Sequence, residues 1–200
     1  MIRGMVRTVF DVGSSDDSVF TDFMCDVHYF DPDPSRIQTL SAKRTKNITS
    51  SFNAFGLGEE NTELYYYPMY FSFFDRVKSC SVSDDANKVA LPIRSAKEYV
   101  LQNNVESIDF LKIDTEGYEL SVLKGFDETI RRVKFIQFEY GGTYIDSGVK
   151  LIEVVEYLKS FGFGRFARLG IKGPENLTDF SDNYTYCNIV CIRDDVEFVR

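Results

Sequence analysis

The chain has 200 residues, 44% of them apolar, with 23 basic against 31 acidic side chains and a formal net charge of −8. At about 150 residues per domain this is one compact unit, residues 1–200, rather than a disordered chain or a disulfide-stapled miniprotein. The acidic balance argues against a nucleic-acid partner, because a phosphate backbone calls for clustered Lys and Arg.

Short apolar runs alternate with helical patterns, which predicts a mostly parallel α/β sheet. Residues 8–12 read as a first buried strand. A helix is expected next, with Ser15 as N-cap, Asp16 and Asp17 in its first turn, and Phe20, Phe23 and Met24 on one face. Residues 27–30 form a second strand. Asp33 then caps and Pro34 starts a helix holding Ile37 and Leu40 inward, with Lys43, Arg44 and Lys46 near its negative end. Residues 48–55 are a third strand, and Ser95 with Glu98 make a capping box ahead of Tyr99 and Val100. Residues 108–113 are a fourth strand, followed by a short helix with Leu120 and Leu123 that Gly125 stops. Residues 133–138 are a fifth. Leu151, Val154, Val155 and Leu158 give the clearest helical stripe, ended by Gly162. Residues 163–169 and 184–193 are two last strands with no long helix between them, so they should pair antiparallel.

The longest stretch without a charge, residues 47–58, is too short to span a bilayer, and residues 1–6 hold no apolar leader. A cytoplasmic protein is expected. Cys187 and Cys191 share the last strand, with Cα atoms about 13 Å apart and beyond disulfide reach. One histidine and no CxxC pair leave no thiol–imidazole zinc site, and sequons at Asn47, Asn176 and Asn183 should be idle without a leader.

In an open α/β sheet ligands bind beyond the carboxyl ends of the strands. Those positions carry Asp11, Gly13, Ser14 and Ser15; Asp31, Pro32 and Asp33; Gly56, Leu57 and Gly58; Asp114, Thr115, Glu116 and Gly117; and Glu139, Tyr140, Gly141 and Gly142. They are mostly carboxylates and glycines. Gly13 gives backbone room for a ligand, and Asp31 follows Asp11 by twenty residues, the spacing of an acid that takes a ribose diol. G-x-G-x-x-G is absent, and Asp16 and Asp17 at a helix N-terminus would repel a pyrophosphate. A nucleoside with a positive centre and no phosphate fits better: S-adenosylmethionine, and hence methyl transfer.

The segment 108–119, Ile-Asp-Phe-Leu-Lys-Ile-Asp-Thr-Glu-Gly-Tyr-Glu, with Val122-Leu123-Lys124-Gly125, resembles the hallmark of FkbM-type methyltransferases. Residues 9–13, 30–34 and 136–140 resemble that family's first cofactor motif, its FEPxP segment and its fifth strand. The resemblance implies a Rossmann-like, S-adenosylmethionine-dependent O-methyltransferase with strand order 3-2-1-4-5-7-6, seven strands ending in an antiparallel hairpin. It implies an acceptor hydroxyl on a sugar or glycan, with a lipid or polyketide hydroxyl as the alternative. Asp17 stands where the family usually has a second Gly, and the first strand begins almost at Met1, without the family's frequent N-terminal extension. That departure suggests a module of a longer or fused protein, beside a glycosyltransferase for example.

Methyl transfer needs an aligned acceptor oxygen and a group to take its proton. Asp114 is the first choice for that group, Glu116 the second, and Glu139 faces the same crevice. Lys112 shares the strand parity of Asp114 and can pair with it or polarise the acceptor. Asp114 and Glu139 can also form a site for Mg²⁺ or Mn²⁺. Expected cofactor contacts are Asp11, Gly13, Ser14, Ser15, Asp31, Pro32, Gly56, Leu57 and Asp114. His28 reads as a satisfied core residue. Seven aromatics among residues 65–74 suit either a lid on the acceptor or packing. A nicotinamide oxidoreductase and a non-catalytic binding module remain competing classes on this scaffold.

Overall fold

The computed structural model describes residues 6–197, so residues 1–5, most of the segment read as lacking a leader, lie outside it. Strand β1 (Thr8–Val12) runs parallel to β2 (Asp26–Phe30), and β2 to β3 (Thr49–Asn53). Between β2 and β3, helix α1 (Pro34–Ser41) starts as expected. The Asp33 carboxylate accepts from the Ser35 backbone at 2.8 Å, Pro34 takes the first position, and Ile37 and Leu40 are buried.

The helix expected between β1 and β2 does not form. Ser15 takes a left-handed φ of 56°, which breaks a helical path, and only a single 3-10 turn follows at Val19–Asp22. Its cap is Ser18 rather than Ser15, and the Ser18 hydroxyl also donates to the buried Asp11 carboxylate. Phe20 is buried, but Met24 is 79% exposed and Asp16 and Asp17 point to solvent.

Beyond β3 the chain builds a second, three-stranded sheet that the sequence pattern does not announce. Its strands are β4 (Gly56–Gly58), β5 (Thr62–Tyr66) and β6 (Val89–Ser95), with the short helix α2 (Val77–Cys80) between β5 and β6. Gly56, Leu57 and Gly58, expected just past the third strand at the crevice, are thus a buried strand. Helix α3 (Ala96–Gln102) opens with half of the expected box. Ser95 accepts from the Glu98 backbone, while the Glu98 carboxylate and the Ser95 backbone both go to Asn61.

The main sheet then continues through β7 (Ile108–Ile113) and β8 (Val133–Tyr140), separated by α4 (Glu119–Phe126), and through α5 (Thr143–Ser147) and α6 (Leu151–Ser160) to β9 (Phe163–Gly170), β10 (Gly173–Asn176) and β11 (Cys187–Arg193). Its order is β10-β9-β11-β8-β7-β1-β2-β3. This is the expected 3-2-1-4-5-7-6 arrangement with β10 as an eighth, edge strand; β8, β11, β9 and β10 pair antiparallel. The final hairpin therefore joins β9 to β10, and β11 inserts between β9 and β8.

One face of the sheet packs Phe10, Ile113 and Phe138 against Leu123, Phe126 and Leu158, all fully or almost fully buried. All four cysteines are free thiols. The Asn47 side chain is committed to Phe20, Phe23, Tyr29 and Ser50, so this sequon serves packing. Among the described residues no helix is long and apolar enough to cross a membrane.

Gly125 does not stop α4 but lies inside it, where the missing Cβ lets the helix meet β4: a Cβ there would sit 2.0 Å from the Gly58 carbonyl oxygen. Gly125→Ala should therefore push the two sheets' junction apart and cost at least about 2 kcal/mol, read by thermal or denaturant unfolding. Parental stability in that variant would mean that α4 and β4 are not in contact.

Candidate active site

The carboxyl ends of β1, β2 and β7 meet in one crevice. Gly13 turns the chain at φ +75°, and its bare Cα passes close to Asp114, whose carbonyl oxygen would lie 1.8 Å from any Cβ. The Gly13 and Ser14 backbones donate to the Phe30 carbonyl, which fixes this turn over β2. Asp31 is buried beside it. Its two carboxylate oxygens accept from the Ser15 backbone at 3.0 Å and the Asp33 backbone at 2.9 Å, and Arg36 stands 3.9 Å away. Burial raises the Asp31 pKa, while the Asp33 amide, Arg36 and the Ser15 amide act in the other direction.

Of the expected cofactor contacts, Gly13, Ser15, Asp31, Pro32 and Asp114 line one cavity, together with Glu116. Asp11, Ser14, Gly56 and Leu57 do not. Asp11 is buried in the sheet, bound to Ser18 and Lys112; Ser14 bonds to Phe30; Gly56 and Leu57 pack inside β4, against Ile93 and the core. The cavity also has a wall that strand-end reasoning missed: Arg36, Tyr66, Phe71 and Phe73. The aromatic run at 65–74 was the signal for three of these, since its rings cover this cavity while Tyr65 and Met69 stay exposed. Arg36 stacks on Phe71 at 3.8 Å from the ring centre, and its place one turn after Asp33 was the only hint of it.

Beside this cavity the carboxylates of Asp114, Glu116 and Glu139 converge, with one oxygen from each lying within 4.8 Å of the others. Two cations neutralise part of this charge. Lys112 reaches Asp11 at 3.2 Å and Asp114 at 3.3 Å; burial opposes its charge, but the two carboxylates outweigh burial and its pKa is raised. Arg76 donates to Glu116 at 2.7 Å. Among the described residues, no cation pairs with Glu139. Burial first, and then the charges of Asp114, Glu116 and Glu119, push its pKa up to about 8. At neutral pH Glu139 therefore holds a proton and can donate to an oxygen, which leaves proton removal to Asp114 or Glu116.

The buried Glu119 has a structural task. One of its oxygens accepts from the Thr115 backbone at 2.9 Å, the Thr115 hydroxyl at 3.0 Å and the Gly117 backbone at 3.3 Å, closing the turn into α4. Glu119, not Glu116, is the acid that ties this turn. His28, read as a core residue, is half-buried: it bonds Tyr99 at 2.8 Å and packs on Phe10, away from this crevice.

The Glu139 proton has a consequence for stability. An unfolded Glu139 ionises near pH 4.5 and the folded one near 8, so between these values the folded state holds the extra proton and loses stability as pH rises. Glu139→Gln should raise the melting temperature over the parent at pH 8 and leave it nearly unchanged at pH 4. A difference that does not grow with pH would contradict the raised pKa.

The methyltransferase FkbM domain model matches residues 11–164. No curated protein matches the chain in sequence. Among solved structures, a TehB-like SAM-dependent methyltransferase from Corynebacterium glutamicum superposes with a TM-score of 0.50 at 10% identity, covering 94% of this chain and 80% of that one. The Methanococcus jannaschii fibrillarin pre-rRNA processing protein gives 0.49 at 14% identity, covering 94% and 67%. The chain is thus a class I methyltransferase in fold. The family match spans the Gly13 turn, the Asp31 cradle and the acidic cluster: this chain belongs to the FkbM methyltransferase family, and S-adenosylmethionine is its methyl donor.

Proposed function

We propose that the enzyme transfers the methyl group to an acceptor hydroxyl, with the cofactor in the Gly13–Asp31 cavity and the acceptor at the Asp114–Glu116–Glu139 cluster. The observation that carries this reading is that Asp114 belongs to both: it lines the cavity and is one of the three converging carboxylates. Asp31, fixed by two backbone amides, accepts the ribose hydroxyls. Tyr66, Phe71 and Phe73 supply flat apolar surface for the base. Gly13 leaves room for the ligand to lie on the backbone. Asp114 would take the acceptor proton as the new C–O bond forms and the methyl–sulfur bond breaks, the sulfur keeping the electron pair as a neutral thioether, while protonated Glu139 and the Lys112 charge would orient the acceptor.

Charge selects the donor. Bound S-adenosylmethionine is a sulfonium and meets a crevice with a surplus of carboxylates. A dinucleotide is disfavoured more simply than the sequence suggested: with no helix after β1, no helix N-terminus waits there for a pyrophosphate. A sugar or glycan suits the acceptor end because carboxylates can accept several hydroxyls at once; a lipid or polyketide hydroxyl is the alternative. Three carboxylate oxygens also match the donor set of Mg²⁺ or Mn²⁺. However, Asp114 and Glu116 already hold Lys112 and Arg76, so the geometry supports transfer without a metal.

The test combines calorimetry with S-adenosylmethionine and transfer of its labelled methyl group to a panel of saccharides and long-chain alcohols, with and without EDTA. Asp31→Ala should weaken cofactor binding about tenfold or more. Asp114→Asn should bind the cofactor like the parent but transfer label about a hundredfold more slowly, and EDTA should not slow the parent. Both variants behaving like the parent would refute the site assignment.

A further inference from the structure

The turn after β7 has a shape that a side chain disfavours. Glu116 has a φ of +51° and Gly117 of +102°, both left-handed. From within, Glu119 braces this turn together with the Tyr118 amide, which donates to the Thr115 carbonyl at 3.3 Å. From outside, two residues of the segment between β5 and β6 grip Glu116 at both ends. The Ser72 hydroxyl donates to its carbonyl at 2.7 Å, and the Arg76 guanidinium donates to its carboxylate at 2.7 Å. Both members of the Arg76–Glu116 pair are largely buried, with side chains 21% and 26% exposed, unlike the solvated pairs that contribute little. Tyr186, just before β11, stands near enough to Arg76 to favour its charge, and its ring lies against the bare Cα of Gly141. Three distant stretches of chain meet at this one guanidinium.

We propose that Arg76 is a positioning residue for the cofactor: it holds Glu116 and so keeps the Asp114–Glu116 turn in the left-handed shape that forms one wall of the cavity. The inference rests on the reading of that cavity as the S-adenosylmethionine site. Arg76 does not line the cavity, so it acts through Glu116. Nor is it the sole anchor of its own segment. Ser79 bonds to Asp146 through its backbone and hydroxyl, and Phe73 packs on Tyr66 and Tyr118. Removing the guanidinium should leave the segment in place and free the turn.

The experiment is calorimetry with S-adenosylmethionine on Arg76→Gln, Glu116→Gln, the double variant and Arg76→Lys, with thermal melts in parallel and Asp31→Ala as control. Each Gln variant should bind about tenfold more weakly, since a charge-assisted bond is lost. The double variant should be no worse than about tenfold, because the two residues act as one unit. Arg76→Lys, which keeps the charge, should return to within about threefold of the parent. The inference is overturned if Arg76→Gln binds like the parent, if the double variant loses about a hundredfold as independent sites would, or if Arg76→Lys loses as much as Arg76→Gln. Should Arg76→Gln not fold, Glu116→Gln decides: binding about tenfold weaker supports the inference, and parental binding overturns it. A parent that binds no S-adenosylmethionine, or an Asp31→Ala variant that binds it undiminished, would instead remove the reading of the cavity itself.

Discussion

Everything at the top of this sheet depends on how a crowd of carboxylates is kept charged. Asp11, Asp31, Asp114, Glu116 and Glu139 all lie at or near the ends of adjacent strands. Buried like charges repel and favour protonation unless each finds a partner. Lys112 answers for two of them at once, bridging Asp11 on β1 and Asp114 beyond β7, two neighbouring interior strands of the sheet. Arg36 stands by Asp31 and Arg76 by Glu116. Glu139, buried among these charges, keeps a proton, its pKa pushed up to about 8. Partial compensation leaves a crevice that keeps a surplus of carboxylates.

The segment that resembles the family hallmark divides its labour among its residues. Asp114 joins the cavity to the acidic cluster. Glu116 carries a strained backbone that other segments support. Gly117 accommodates a still larger positive φ, where a Cβ would meet the Thr143 backbone. Glu119 ties the turn from inside, and Gly125 lets α4 rest on the second sheet. Only the first two of these face the site. The others are there because backbones must come close.

The α/β framework was legible because strand and helix periods are local signals. The Asp33–Pro34 start of α1, the stripe of α6 and the parity of Lys112 with Asp114 all read correctly from neighbours in sequence. The missing helix after β1 did not, because acids and a serine ahead of aromatics look like a helix start. What decides that segment is the left-handed Ser15 and the pull of buried Asp11 on Ser18, a tertiary contact. The second sheet was hidden for a similar reason: Gly56 and Gly58 look like turn residues, but glycine is what their close packing on Ile93 and Tyr118 requires. Of the site, Gly13, Asp31, Asp114, Glu116 and Glu139 were readable as strand-end positions. Arg36 carried a faint local signal. Arg76 and Tyr186 carried none, since each acts on residues 40 or more positions away.

The most direct test of the whole account is a crystal structure with S-adenosylhomocysteine bound. The ribose hydroxyls should lie on the Asp31 carboxylate, with the sulfur directed toward Asp114. Clear density for the nucleoside anywhere else on the protein, with the Asp31 cradle occupied only by water, would contradict it.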